Sequence, residues 1–295
     1  MTIKISAVIV NFNGSKWLKN LFSCLNHQTF TNFEIIFVDN ASEDESLKIL
    51  EKIKIKNKIK IIKNKINYGF AKGSNIGAKN AQGEFIVLIN TDLIFFKNAF
   101  EKILNELEID KNIAAIQPKI KLMANRSLLD SCGSLWTNFS LLYHIGNEDY
   151  SNKDIYSKSF EVFSNKGAFM AIRKEVIDRI GLFDDDFWCY YEETDFCHRA
   201  HLHGYKVVYS PVTSCYHYNG GSSKNFDNSY VQFHSIKNKI MSFIKNFEIL
   251  NVFKNLMCLF LIYFCYSIYL LIRMKFKTSL SIYMAFFWNI KNIKS

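Results

Sequence analysis

The sequence predicts an α/β fold, a mostly parallel sheet flanked by helices, followed by a hydrophobic helical tail. Three observations carry this. Short β-branched runs alternate with segments of helical spacing through the first part of the chain. Three of those runs, near Ile5, Phe33 and Phe85, are dominated by apolar side chains, as expected of strands buried on both faces. Charge then vanishes from Leu256 to Ile272 near the C-terminus.

In order, Ile5 to Val10 (ISAVIV) reads as a buried strand. Trp17, Leu18, Leu21, Phe22 and Leu25 set helical spacing over Ser15 to Gln28. Phe33 to Val38 (FEIIFV) is a second buried strand, ending in Asp39-Asn40-Ala41-Ser42, and a helix from about Asp44 to Ile53 follows. In Lys52 to Lys65 (KIKIKNKIKIIKNK) Lys alternates with Ile, which is strand periodicity with a charged outer face, as suits a sheet edge. The same cations would also suit a phosphate-rich partner or an anionic membrane surface. Tyr68 to Ala81 carries Gly69, Gly73 and Gly77 at four-residue spacing, so this helix can approach its neighbours closely. Phe85 to Ile89 (FIVLI) is the next buried strand and ends in Asn90-Thr91-Asp92. Ligands of such sheets bind beyond the carboxyl ends of the strands, where Asn11, Asp39 and Asp92 all fall.

Residues 112 to 163 are less regular and rich in aromatics. Glu175 to Ile180 reads as a short helix stopped by Gly181, and Glu193 to His203 as a helix ending at Gly204. Lys206 to Ser210 is expected to be a strand terminated by Pro211. The apolar run 256–272, flanked by Lys254 and Arg273, is slightly short of the roughly 20 residues that span a bilayer. A second aromatic segment, Leu280 to Ile290, is followed by Lys291 and Lys294. Rings flanked by cations suit helices at a headgroup interface. An inserted hairpin or single span, and a packed or dimerising helix, are the other two readings.

Composition excludes several classes. The chain has 295 residues, 49% of them hydrophobic, with only 12 Gly and 2 Pro, so disorder and collagen-like structure are ruled out. Seven cysteines without a CxxC pair support neither a disulfide scaffold nor a zinc ribbon. The start, MTIKISAVIVNFNG, lacks the pattern of a secretory signal, so a cytoplasmic, reducing setting is expected. The net charge of +10 allows a membrane or nucleic-acid binding module as an alternative to an enzyme.

Several groups could carry chemistry. Asp39 could anchor a helix start or accept from a base N–H. Asp92, at a strand end, could close a turn or hold a divalent cation on a diphosphate, because hard cations prefer oxygen. Glu192, Glu193 and Asp195 lie among Phe187, Trp188, Tyr190, Tyr191 and Phe196. Apolar surroundings and like charges both raise a carboxyl pKa toward the range of a general base. Asp195 and Arg199 form an i,i+4 pair of structural character, and His198, His201 and His203 do not share a face. His217 precedes Gly220-Gly221-Ser222-Ser223, a loop that could close over a ligand.

These stretches together resemble the family 2 glycosyltransferases of the GT-A (Rossmann-like) fold, particularly the rhamnosyltransferase-like branch. The matching segments are VIVNFNG, VDNASEDES, NYGFAKGSNIGAKNAQGEFIVLINTD, GAFMAIRKEVIDRIGLFDDDFWCYYEETDFCHRAHLHGYKVVY and the following H-Y-N-G-G, over roughly residues 5 to 225. The resemblance implies inverting transfer of a sugar, rhamnose among the candidates, from a nucleoside diphosphate donor (dTDP- or UDP-linked) with Mg²⁺ or Mn²⁺. It implies that Asn11 and Asp39 contact the base and that Asn67, Gly69 and Asn75 line the donor side. Asn90, Thr91 and Asp92 stand where the family has its aspartate-x-aspartate signature, with Asn in place of the first acid. Asp92 is then the metal carboxylate and His217 a second ligand. Glu192 and Glu193 match the family's Glu-Asp pair, with Glu193 at the catalytic base.

The expected organisation is a catalytic domain over residues 1–245 and an aromatic, basic tail over 246–295. That tail would place the protein on the inner face of the cell membrane, beside a glycan or polyprenyl-linked acceptor. Nucleic acid is not an expected partner, since buried acids in an aromatic surround do not suit one. A catalytically weakened relative of the same fold is the alternative that Asn90 raises.

Overall fold

The computed structural model describes residues 2–138, 141–218 and 226–292. The Gly220-Gly221-Ser222-Ser223 loop lies outside the described residues. The first strands are β1 (Ile5–Asn11), β2 (Phe33–Asp39), β3 (Ile59–Lys63) and β4 (Phe85–Ile89), with α1 (Ser15–Asn26), α2 (Ser46–Lys52) and α3 (Gly69–Lys79) between them. Then come β5 (Leu93–Phe95), α4 (Ala99–Ile109), β6 (Ile113–Leu122), β7 (Leu129–Ser131), and a small hairpin of β8 (Ser134–Trp136) and β9 (Leu142–His144). β10 (Phe160–Glu161), β11 (Phe169–Arg173), α5 (Lys174–Ile180), α6 (Glu192–Leu202) and β12 (Lys206–His217) complete the sheet and its cover. The chain continues through α7 (Asn228–Asn246), α8 (Ile249–Ile272) and α9 (Phe276–Asn292).

The main sheet runs β10-β12-β6-β11-β4-β1-β2-β3, with β5 and β7 pairing off this path. β3, β2, β1, β4, β6 and β12 point one way, and only β11 and β10 on the path oppose them. The carboxyl ends of β1, β2, β4 and β12 therefore share one edge of the sheet. Alternation within each strand serves two cores. Ile5, Ala7 and Ile9 pack with α1, α2 and α4, while Val8, Ile36 and Val38 pack with α3, α5 and α6. A Cβ at Gly77 would collide with Val8 Cγ1, so the Gly spacing of α3 does bring helix and sheet together.

β3 is the sheet edge, as the Lys/Ile alternation predicts, but it spans only the end of that run. The expectation at Pro211 is overturned: β12 runs straight through it to His217. Its register against β6 shifts between Ser210 and Ser214, so Pro211 sits in an irregularity where the ladder asks no N–H of it. That continuation carries His217 to the edge.

The tail is tied to the sheet-bearing part. Tyr191 shares a buried cluster with Ile236, Ile240 and Phe243 of α7, Leu259 and Leu270 of α8, and Ile282 and Ala285 of α9. Asp195 of α6 accepts from Ser242 Oγ (2.8 Å) and Asn246 Nδ2 (2.7 Å) of α7. Arg199 pairs with the other Asp195 oxygen at 2.9 Å, a structural contact as expected.

Candidate active site

A cleft of ≈ 580 Å³ opens at the carboxyl edge of the sheet. Asn67, Gly69, Asn90, Thr91, Asp92 and His217 line it together with Glu192 and Glu193, so residues far apart in the chain meet in one space. Apolar walls come from Val10, Phe12, Phe70 and Trp188.

At the end of β1, Asn11 Nδ2 donates to Asp39 Oδ1 and to Ser42 Oγ, both at 2.9 Å, and Ser42 N donates to Asp39 Oδ2 at 3.0 Å. These bonds fix Asp39 and Asn11 just behind the wall formed by Val10 and Asn40, where both are buried. Asn67 Oδ1 accepts from Gly69 N at 2.9 Å and so starts α3. Gly69 has φ +78°, and a Cβ there would collide with the Trp188 carbonyl, which accepts from Ala71 N at 3.1 Å. Glycine is required by both the dihedral and the approach. Asn75 departs from expectation. It does not line the cleft; its amide donates to Phe183 O (2.7 Å) and Asp185 Oδ1 (2.8 Å) and accepts from Phe183 N (3.1 Å). It clamps the segment before α6 to α3.

At the end of β4, Asp92 Oδ1 lies 3.3 Å from His217 Nε2, and His217 Nδ1 meets Asp130 Oδ2 at 2.7 Å. Lys166 Nζ donates to both Asp130 oxygens at 2.7 Å. Burial alone would lower the His217 pKa, but hydrogen bonds to Asp130 and Asp92 outweigh it and the net shift is upward. Asp130 shifts down: burial opposes this, and His217 and Lys166 overcome it. Asp130 fixes the imidazole so that Nε2 faces Asp92 and the cleft, the arrangement that orients a metal-ligating histidine. Among the described residues no group of three or more His, Cys, Asp or Glu could hold a metal by itself. A carboxylate oxygen and an oriented imidazole nitrogen fit a cation that takes its remaining ligands from a diphosphate and water.

Glu192 and Glu193 open α6. Burial raises the pKa of both carboxyls, that of Glu192 well above its ordinary value with Glu193 adding like charge. One oxygen of each, Glu192 Oε2 and Glu193 Oε2, is buried without a hydrogen-bond partner. The backbone before them is strained: Trp188, Tyr190 and Tyr191 have φ +61°, +72° and +73°. α7 holds that segment in place. Asn238 Nδ2 donates to the carbonyls of Phe187 (2.8 Å), Cys189 (2.8 Å) and Tyr190 (2.6 Å), and Lys237 Nζ to that of Asp186 (2.6 Å).

Sequence reasoning passed over Asp130, Lys166 and Asn238. Asp130 meets His217 across 87 positions and Asn238 meets Phe187 across 51, so no local pattern marks either one. Lys166 directly precedes the matched segment that begins at Gly167, and both residues line the cleft.

An open, mostly parallel α/β sheet with acidic groups at one carboxyl-edge cleft is the architecture of the GT-A fold. Solved structures share this architecture. GalNAc-T7, determined with UDP, GalNAc and Mn²⁺, superposes with a TM-score of 0.64 at 20% identity, covering 82% of this chain and 47% of its own. Residues 1–349 of Staphylococcus aureus TarS with UDP superpose at 0.57 and 18% identity, covering 84% and 68%. In sequence, the low-salt glycan biosynthesis hexosyltransferase Agl10 of Haloferax volcanii is 24% identical over 81% of this chain and 75% of its own length. The glycosyl transferase family 2 pattern matches residues 6–181. The chain belongs to glycosyl transferase family 2.

Proposed function

We propose that the chain transfers a sugar from a pyrimidine nucleoside diphosphate donor to an acceptor hydroxyl with inversion at the anomeric carbon. The observation that carries this is the meeting of Glu193 with Asp92 and His217 in one cleft. Glu193 removes the acceptor hydroxyl's proton as its oxygen attacks; the new C–O bond forms while the bond to the diphosphate breaks. A general base of this kind is worth about 10²–10⁴-fold. Asp92 and His217 would hold a divalent cation, which when bound would neutralise charge developing on the leaving diphosphate. Asp39, fixed by Asn11 and Ser42, accepts from the imide N–H that uracil and thymine share. That assignment does not distinguish dTDP-linked rhamnose from UDP-linked sugars as donors.

The acceptor is proposed to be a glycan at the cytoplasmic membrane face. α8 is long and apolar enough to cross a membrane, yet one side of it is docked on α7 and α9. Docking of that side favours the pair resting in the headgroup interface, with Lys254, Arg273, Lys275 and Lys277 at the phosphates.

A thermal-shift panel of UDP, dTDP and GDP, each with and without MnCl₂, tests the donor assignment. UDP or dTDP with Mn²⁺ at 100-fold excess over Kd is expected to stabilise by about 2.7 kcal/mol, a rise of about 5 °C or more. GDP should do nothing. Equal stabilisation by all three, or by none, defeats the reading. Stabilisation by a pyrimidine nucleotide without turnover on any acceptor would point instead to the weakened relative that Asn90 in place of an acid favours.

A further inference from the structure

The segment that leads into β11 touches both acidic centres of the cleft. Lys166 Nζ donates to Asp130 Oδ1 and Oδ2, each at 2.7 Å, and Asp130 in turn meets His217 Nδ1 at 2.7 Å. One residue further on, a Cβ at Gly167 would stand 3.7 Å from Glu193 Cβ, and a hydrogen bond from the Gly167 backbone reaches the Glu193 carboxyl. Gln117 of β6, fully buried, sets the frame for this. Its Oε1 accepts from Lys166 N at 2.6 Å, and its Nε2 donates to Ser131 O at 3.2 Å, next to Asp130. The Lys166 ammonium is partly exposed and lines the cleft with Asp92, His217 and Glu193. Asp130 is buried, and a buried carboxylate needs a counter-charge. Lys166 supplies it, and the same charge reaches Glu193.

We propose that Lys166 is a positioning residue shared by the two halves of the reaction: its ammonium holds Asp130 against His217 on the donor side, and its charge, with the Gly167 backbone beside it, steadies the Glu193 carboxylate on the acceptor side. This deepens the transferase reading above and rests on it. Asp130 and Glu193 then compete for one positive charge, so a change at either is felt at the other. The remaining titratable groups that feel Glu193 are Glu192, Cys189, Tyr191 and Cys197, all pushed up by burial and so still carrying their protons where Glu193 loses its own. Lys239 of α7 and the Asp92–His217 pair face the same cleft and are left intact in the comparison below.

Two readings of the full chain test this, neither of them turnover. The first is the titration midpoint of the Glu193 carboxyl, followed by NMR on protein carrying ¹³C-carboxyl glutamate, with the signal assigned by its loss in Glu193→Gln. The second is the MnCl₂ concentration that half-restores the UDP-induced thermal shift. Lys166→Met should raise the Glu193 midpoint by about half a pH unit or more, because a favourable positive charge is gone. It should also raise the MnCl₂ requirement about tenfold or more, the usual cost of losing support behind a metal-ligating histidine. Lys166→Gln serves if the methionine variant does not fold. Lys166→Arg, whose fork suits a carboxylate, should keep both readings near those of the wild type. Asp130→Asn should raise the MnCl₂ requirement as well but lower the Glu193 midpoint, since the Lys166 charge is then no longer divided. Simple loosening of the cleft would admit water and lower the midpoint in every variant. A midpoint that stays or falls in Lys166→Met, or an unchanged MnCl₂ requirement, overturns the shared role. A wild type with no UDP shift at any MnCl₂ concentration defeats the donor reading instead, while the carboxyl titration still reads the hold of Lys166 on Glu193.

Discussion

Glu193 works as a base only while ionised, and burial sets when that is. Its folded pKa lies above the ordinary 4.5, partly restrained by the Lys166 charge. The carboxylate is therefore present above the raised value and lost as pH falls through it, so kcat/KM should drop on an acidic limb placed above pH 4.5. Glu193→Gln is expected to lower kcat by about 10²–10⁴-fold, to erase that limb, and to leave UDP affinity within about twofold. Parallel pH–rate profiles and nucleotide titrations check this; turnover like the wild type would remove Glu193 from the role. At this scale the sequence shows side chains whose place follows from their own strand or helix end. Asn11, Asp39, Asp92 and Glu193 are of that kind. Asp130 is not, because its partners His217 and Lys166 come from other segments and only the closed sheet joins them.

The elements divide in the same way. Strands β1, β2 and β4 and the glycine-spaced α3 are visible because burial on both faces writes a mainly apolar run, and close helix approach writes glycine. β12 is misjudged because the tolerance for Pro211 depends on register against β6, a partner property that the local sequence does not carry. Asn75 is misjudged for a related reason: its amide was free to face a ligand until Phe183 and Asp185 were folded against it. The segment before α6 depends on α7 most of all. Asn238 shares two N–H protons among three carbonyls of a backbone with three positive φ values, each costing roughly 1–3 kcal/mol. Asn238→Ala should therefore cost about 2–4 kcal/mol in urea denaturation, from lost bonds and unsatisfied carbonyls. In the still-folded protein kcat should fall at least tenfold as Glu192 and Glu193 lose their fixed entry. Loss of stability with kcat unchanged would mean that α6 is positioned without this clamp.

At the scale of the whole molecule, hydropathy announces an apolar tail but says nothing of what it touches. The structure shows that α7 faces the catalytic segment on one side and α8 and α9 on the other, with Asn289 Nδ2 of α9 donating to the Lys237 carbonyl at 3.0 Å. Deleting residues beyond Asn251 would strip the cover from Ile236, Ile240 and Phe243, so a truncated chain would aggregate and pellet whether or not it bound membranes. A cleaner test changes only the outward stripe. Leu250, Phe253, Met257 and Leu261 recur at helical spacing and are 57–80% exposed, and Val252, Asn255 and Leu259 face the core between them. Replacing the four outward residues by Glu removes the apolar surface, adds repulsion from anionic lipid, and leaves the inward contacts intact. Sedimentation of membranes should hold the wild type in the pellet at both 0.15 and roughly 1 M salt, because apolar insertion is not screened as charge is. The four-Glu variant should move to the supernatant with its UDP-induced thermal shift preserved. A variant that stays in the pellet while folded would show that α8 is not the membrane contact. A wild type released by salt alone would assign the attachment to the basic residues rather than to the apolar face.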